Sequence, residues 1–274
     1  MNIIPRRVGL ALGAVAGRVL YALGVYRKVV RKNFDHVGIW KHGEVRKITL
    51  RLYRNIGRYA VDFLRGGGRL PPYRLVDEHI YNDARAGGKG MIIVLAHFGN
   101  WELLAAIFGR QVDDLNVVAK PMRNPLTEKW LLKKRTALSV ETIYTKNALR
   151  GMLSAIKRNG IVAMLIDQHL GKNMGTPTPF LGKTASTVRT AAGLAHKTGA
   201  VALPVYAIMD SDGSYSINFT KTEPPNSDSA DEESIISAIQ ALHNDIISQW
   251  IIKHPDHWFG WFHRRFKGYV DYKS

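Results

Sequence analysis

Short runs of apolar residues alternate with helical patterns along most of the chain. Buried strands are predicted at residues 91–96, 116–119, 140–144, 161–166 and 200–208, and helices between them at residues 101–108, 126–138, 148–157 and 186–197. Strands that alternate with helices are typical of βαβ units. The pattern therefore predicts one α/β domain with a mostly parallel sheet flanked by helices.

The regions outside this core also show clear patterns. Residues 28–64 repeat apolar side chains at helical spacing among Arg and Lys, and the three glycines at 66–68 end that region. Residues 214–220 alternate apolar and polar side chains, which predicts an antiparallel edge strand. After an acidic loop over residues 223–233, Asp231 is predicted to begin a long amphipathic helix that ends before Pro255.

The first segment of the chain has the composition of a membrane helix. Residues 8–26 are almost wholly apolar and carry basic residues on both sides, and they could span a bilayer. Arg18 would cost about 3 kcal/mol near the bilayer centre, which favours an interfacial helix or one whose Arg faces protein. A cleaved signal peptide and a buried helix of the fold are the alternatives. We expect a membrane-associated helix over residues 1–27 and one domain over residues 28–274.

The charge balance indicates an anionic partner. The chain has 39 Lys plus Arg against 22 Asp plus Glu, a net charge of +17, which suits nucleic acid or anionic lipid headgroups. No pattern of a known nucleic-acid-binding module is present, so the expected partners are a membrane and no nucleic acid. The absence of Cys excludes disulfides, a thiolate nucleophile and cysteine-bound zinc.

Residues 97–102, HFGNWE, are the strongest candidates for chemistry. They follow a fully apolar predicted strand and precede a helix, which places His97 at the carboxyl end of a parallel strand. Open α/β sheets have their ligand crevice at this edge. Gly99 allows a tight turn, and Asn100 is a favourable N-cap for the next helix. On one continuous helix His97 and Glu102 would lie roughly 140° apart, so only a turn between them could bring them together.

A histidine and a carboxylate suit the deprotonation of a hydroxyl group. The pKa of His lies near neutral pH, and a carboxylate on the second ring nitrogen fixes the tautomer and stabilises the imidazolium. The alternative is a structural His at a strand end with a solvated Glu.

Four blocks together resemble one family, the bacterial lipid A biosynthesis late acyltransferases, which are related to the glycerolipid acyltransferases with a His-x4-Asp/Glu motif. The blocks are HFGNWE at 97–102, Arg-Asn-Pro at 123–125, Asp-Gln at 167–168 followed by PFLGKTAST, and WFHRRFK at 261–267. They occur in order over nearly the whole chain.

The resemblance implies an O-acyltransferase that uses an acyl thioester. His97 would be the general base and Glu102 its orienting carboxylate, while Arg123, Asp167 and Gln168 would bind substrate. Acyl carrier protein would be the donor, an anionic glycolipid of the lipid A pathway the acceptor, and the cytoplasmic face of the bacterial inner membrane the location. A lysophospholipid or a glycosylated inositol lipid remains an alternative acceptor, and a basic nucleic-acid-binding protein an alternative of another class.

Neither a metal nor another cofactor is implied by the resemblance. His254 and His257 lie on either side of Pro255, and we expect no metal at this pair. The oxyanion of the reaction is expected to be stabilised by backbone amides near Gly99 or by Arg123. Arg264 and Arg265 could be a solvated surface or could bind phosphate at the membrane.

Overall fold

A computed structural model describes residues 4–65, 70–111, 114–146, 148–171, 175–223 and 231–273. The glycines at 66–68 and most of the acidic loop, residues 224–230, lie outside the described residues. Within those ranges the helices are α1 (Arg6–Ala22), α2 (Arg27–Val37), α3 (His42–Arg65), α4 (Glu78–Ala86), α5 (Trp101–Gln111), α6 (Pro125–Thr136), α7 (Ala148–Lys157), α8 (Thr190–Thr198) and α9 (Glu232–Lys253), with 3₁₀ turns at Pro255–His257 and Phe259–Phe262.

The core of the protein is a seven-stranded sheet in the order β1-β9-β8-β2-β5-β3-β4. Its strands are β1 (Tyr73–Val76), β2 (Met91–Leu95), β3 (Leu115–Ala119), β4 (Val140–Tyr144), β5 (Ile161–Leu165), β8 (Val201–Met209) and β9 (Tyr215–Phe219). Strands β8, β2, β5, β3 and β4 are parallel to one another. The predicted mostly parallel sheet flanked by helices is therefore confirmed.

Two local predictions were wrong. Strand β9 does pair antiparallel with β8, but β1 pairs along its outer side, so β9 is not an edge strand. The helix predicted over residues 186–197 begins only at Thr190, because β6 (Thr176–Phe180) and β7 (Lys183–Thr187) form a hairpin. Leu181 and Gly182 at the hairpin turn both have positive φ, as a two-residue turn of this kind requires.

Helix α1 packs on α3 through backbone contact. A Cβ on Gly17 would lie 1.9 Å from the Tyr53 carbonyl oxygen, and a Cβ on Gly57 would lie 1.9 Å from that of Gly13. Only glycine permits so close an approach of two helices. At its start α1 is further held by Arg6, whose guanidinium donates to both carboxylate oxygens of Asp62 at 2.7 and 2.8 Å.

Away from its glycines, α1 exposes apolar side chains and two arginines. The exposed apolar side chains include Val8, Leu12, Val15 and Val19, and Arg7 and Arg18 are exposed on the same helix. By length and apolar composition, no single described helix is sufficient to cross a membrane. Helices α1 and α2 together have the length and apolar composition of a membrane span, but the chain bends by 82° between them.

Candidate active site

His97 and Asp167 are brought together by the register of two neighbouring parallel strands. Strands β2 and β5 pair so that Leu95 lies opposite Leu165, and His97 and Asp167 each lie two residues beyond that pair. The backbone bond from Ile166 N to Leu95 O, at 3.0 Å, continues the pairing past the strand ends. Both residues therefore lie at the carboxyl edge of the sheet, where the sequence placed His97.

Asp167 is the hydrogen-bond partner of His97. The ring Nδ1 lies 2.7 Å from Asp167 Oδ1, and the His97 backbone N–H donates to Oδ2 at 2.9 Å. Trp258 Nε1 donates to the same Oδ2 at 2.7 Å. A carboxylate can only accept hydrogen bonds, so Nδ1 carries a proton, and in the neutral ring Nε2 presents a lone pair. The Asp167 carboxylate is fully buried, so the expectation that it binds substrate is wrong.

Electrostatics in this pair favour charge on both residues. Burial by itself would raise the pKa of Asp167, but the charge of His97 and hydrogen bonds from His97 and Trp258 lower it to about 2. Burial would lower the pKa of His97, yet the charge and hydrogen bond of Asp167, with the charge of Glu102, raise it above the ordinary value. The His97 imidazole is therefore a stronger base than a free one.

Glu102 does not orient His97, which corrects the expected pairing. Its Oε1 accepts a hydrogen bond from Arg135 Nη2 at 3.0 Å, and both side chains are largely buried. Helix α5 begins at Trp101, so Glu102 lies in its first turn, while the His97 ring is turned toward β5. Glu102 still contributes negative charge near His97, and the two residues line the same cavity.

The turn after His97 is fixed by backbone contacts on both sides. Gly99 has φ of +61°, and a Cβ there would lie 1.9 Å from the Ala207 carbonyl oxygen, so this position requires glycine. The Asn100 side chain accepts from Leu103 N at 3.1 Å, which confirms the predicted N-cap. Gly99 N donates to His257 O and Asn100 N to Ala207 O, each at 2.8 Å. The amides of Gly99 and Asn100 are therefore occupied and not available to an oxyanion.

Gln168 and Arg123 lie on the outer side of the site. Gln168 Nε2 is 3.2 Å from His97 Nε2, and its side chain is exposed at the cavity. Arg123 follows β3 at the same edge of the sheet, but it is exposed and is not part of the cavity lining. Among the described residues Arg123 makes no side-chain hydrogen bond or ion pair. The nearby carboxylate of Glu128 accepts a hydrogen bond from Met122 N at 2.6 Å.

The C-terminal segment covers the site and supplies contacts that the sequence did not indicate. Trp258 is fully buried and donates to Asp167, and the His263 ring lies 5.5 Å from that of His97. Burial lowers the pKa of His263, and the charge of His97 lowers it further. A Trp within an aromatic cluster gives no sequence signal that separates a core residue from a hydrogen-bond donor to a catalytic carboxylate.

Arg265 is buried, which excludes it from a membrane or phosphate surface. It donates to the carbonyl oxygens of Gln168 and Ser186 and to Thr187 Oγ1, and its guanidinium lies 4.6 Å from the centre of the Phe180 ring. Arg265 thus supports the segment that carries Asp167. Its neighbour in the sequence, Arg264, is exposed.

A cavity of about 850 Å³ opens beside His97. Residues of β2, β3 and β5 form one wall of the cavity. The lining from the sheet and from α5 and α7 is mostly apolar and includes Ile93, Leu95, Leu104, Phe108, Val117, Met152 and Ala163. The polar groups in this space include His97, Glu102, Arg135 and Gln168. An apolar cavity of this size with convergent polar groups suits an extended apolar ligand with a reactive end.

Comparison with known proteins gives a consistent result. Residues 1–268 match the family described as bacterial lipid A biosynthesis acyltransferase. The chain is 27% identical to a lipid A biosynthesis lauroyltransferase of Escherichia coli, over 95% of this chain and 84% of that protein. It is 26% identical to a lipid A biosynthesis palmitoleoyltransferase of the same organism, over 67% of this chain and 58% of the relative.

The family match extends over the sheet, the His97 turn and the C-terminal segment that closes the site. The chain therefore belongs to the bacterial lipid A biosynthesis acyltransferase family and is an acyltransferase.

Proposed function

We propose that this protein transfers a fatty acyl chain from acyl carrier protein to a hydroxyl group of a lipid A precursor. The observation that carries the proposal is the His97–Asp167 pair at the opening of an apolar cavity. The cavity would take the acyl chain, and Nε2 of His97 would face the thioester carbonyl and the acceptor hydroxyl. Acceptor and pathway follow from the relatives, which are named as lipid A acyltransferases.

His97 would act as the general base. Asp167 holds the proton on Nδ1, so Nε2 can take the proton of the acceptor hydroxyl while its oxygen attacks the thioester carbonyl. The tetrahedral intermediate then collapses with cleavage of the carbon–sulfur bond, and the imidazolium returns the proton to the departing thiolate. Since Gln168 Nε2 lies 3.2 Å from Nε2, an acceptor hydroxyl would take the place of that contact.

Glu102 and Arg135 would contribute charge to the reaction. The Arg135 guanidinium lines the cavity, and its Nε is buried with no hydrogen-bond partner among the described residues. A guanidinium in the wall of this cavity suits the oxyanion of the intermediate, because the Gly99 and Asn100 amides are occupied. Glu102 would position Arg135 toward the cavity through this ion pair.

Arg123 and the basic surface would bind anionic groups. Arg123 is exposed at the carboxyl edge of the sheet, and it could pair with an acceptor phosphate through its planar guanidinium.

Attachment to the inner membrane would use the exposed face of α1. Leu12 is 55% exposed and Val19 51%, and Leu23, directly after the helix, is 72% exposed. An apolar helix face flanked by basic residues is typical of a helix that lies in the membrane interface. The 82° bend between α1 and α2 also favours an interfacial position over a straight span. We place the protein on the cytoplasmic face.

The test is acyl transfer by the purified full-length protein. Lauroyl acyl carrier protein is incubated with a lipid A precursor, a lysophospholipid or a mannosylated inositol lipid, and products are identified by mass spectrometry. We expect acylation of the lipid A precursor only, and its loss in folded H97A protein. Acylation of another acceptor in preference, or normal turnover by folded H97A, would contradict the proposal.

A further inference from the structure

Two lysines lie at the outer end of the cavity, and the reaction proposed above does not use them. Lys120 directly follows β3, and Lys146 follows β4 by two residues. These two strands are paired, and Thr145 N donates to Ala119 O at 3.0 Å, so the two lysines follow neighbouring strand ends. Both side chains are exposed and both line the cavity that contains His97.

The two ammonium groups are available for an anionic ligand. Among the described residues, neither Lys120 nor Lys146 makes a side-chain hydrogen bond or an ion pair. Glu128 also lines this part of the cavity, but its carboxylate accepts from Met122 N at 2.6 Å and from the Tyr144 hydroxyl. The cavity thus has an apolar interior with His97 at one point of its edge and two unpaired positive charges at another.

The spacing of the strands gives the distance between these points. Along the sheet the order is β2-β5-β3-β4, and neighbouring strands lie about 4.8 Å apart. The end of β3 is therefore roughly 10 Å, and the end of β4 roughly 14 Å, from the end of β2 that carries His97. A group bound by Lys120 and Lys146 would be about that far from the reacting atoms.

A phosphopantetheine thioester has an anion at the matching distance. Its sulfur and phosphorus are separated by about 13 bonds, which is equivalent to about four residues of extended chain and roughly 14 Å. Coenzyme A and acyl carrier protein both carry their acyl groups on this arm. We propose that Lys120 and Lys146 bind the phosphate of the donor's phosphopantetheine arm, which lies along the carboxyl edge of the sheet from His97 to β4.

This inference rests on the proposed acyl transfer, and binding of inert donor analogues tests it separately. The probes are S-dodecyl pantetheine and S-dodecyl 4′-phosphopantetheine, thioethers that differ only in the phosphate and do not react. Their Kd values are measured by titration calorimetry with full-length protein, with K120A/K146A and with K129A/K133A. Lys129 and Lys133 are exposed on α6 and are not part of the cavity lining, so the control removes the same charge.

We expect the phosphate to lower Kd roughly five- to tenfold in the unaltered protein and in the control, as two exposed ion pairs would. In K120A/K146A the ratio of the two Kd values should fall below about twofold, while the affinity for the unphosphorylated probe stays unchanged. Three results would overturn the site. The phosphorylated probe fails to bind, the two probes have equal Kd values in the unaltered protein, or the effect of the phosphate on Kd survives in K120A/K146A.

The source of the phosphate is identified by two larger probes, S-dodecyl coenzyme A and the S-dodecyl form of acyl carrier protein. Both should lose affinity in K120A/K146A if the site is correct, and the one that binds unaltered protein more tightly is the source. An unaffected Kd for both would overturn the proposal. Because no probe reacts, a failed acyl-transfer assay and a failed phosphate site give different results.

Discussion

Replacement of Asp167 by Asn tests the catalytic pair most directly, because the carboxylate accepts three hydrogen bonds and donates none. Oδ1 accepts from His97 Nδ1, and Oδ2 accepts from His97 N and Trp258 Nε1. An Asn has one oxygen and one NH₂ group. If its oxygen faces His97 Nδ1, the NH₂ group faces two other donors, His97 N and Trp258 Nε1. Each buried donor that is left without an acceptor costs about 1–3 kcal/mol.

The opposite orientation of the Asn retains two hydrogen bonds and is therefore favoured. Its NH₂ group then faces His97 Nδ1, which must accept, so the ring proton moves to Nε2. Nε2 can no longer take the proton of the acceptor hydroxyl. We expect kcat to fall by about 100- to 10,000-fold in D167N, with the protein still folded.

The matched control is E102Q. A Gln at this position can still accept the hydrogen bond from Arg135, and only the charge is lost. We expect E102Q to lose no more than about tenfold, equivalent to about 1.4 kcal/mol, since Gln keeps the hydrogen bond from Arg135 and His97 keeps its partner Asp167. If Glu102 rather than Asp167 orients His97 during turnover, the order of the two variants would be reversed.

The pH profile gives a second readout. Because Asp167 raises the pKa of His97, the base form of the unaltered enzyme is lost as pH falls through a value above 6.5. In D167N the imidazolium loses its anionic partner, so the pKa of His97 falls. The acidic limb of the kcat/KM profile should therefore move to lower pH, and the plateau of kcat/KM above it should be lower than in the unaltered enzyme. The assay is initial rate against pH with a fixed donor and acceptor. A D167N profile with an unchanged plateau and limb would refute the assigned role.

Three further outcomes follow from the structure. R123K keeps the charge but loses the planar guanidinium, so turnover should fall clearly while Tm stays constant; unchanged turnover in both R123K and R123A would place Arg123 outside the site. L12E should weaken binding to anionic vesicles in flotation assays, and L126E, at a residue 78% exposed on α6, should not; equal binding by both variants would argue against α1 as the attachment surface. R265M removes a buried cation that contacts the Gln168 and Ser186 carbonyls, so its Tm should fall by several degrees, whereas R264M should keep the original Tm; equal Tm values would contradict the supporting role of Arg265.

Much of the fold was accessible from local sequence pattern. The strand patterns predicted β2, β3, β4, β5 and β8 to within a residue or two. For the central strands β2 and β5, burial on both faces leaves little choice of side chain. The predicted N-cap at Asn100 and the predicted helix start at Asp231 are confirmed, since both side chains accept from a backbone N–H three residues later, Leu103 N and Ser234 N. Strand β1 and the β6–β7 hairpin were missed, because they are short and polar and depend on pairing with distant segments.

The sequence by itself also determined the position of His97, since a strand followed by Gly99 and an N-cap places it at the carboxyl edge of the sheet. It did not determine the partner of His97. The choice between Glu102, five residues away, and Asp167, seventy residues away, depends on the register of β2 against β5, a non-local property that no local spacing encodes. The burial of Arg265 and the cavity beside His97 were likewise decided by tertiary packing, because the same residue pattern is compatible with a solvated surface until the segments meet.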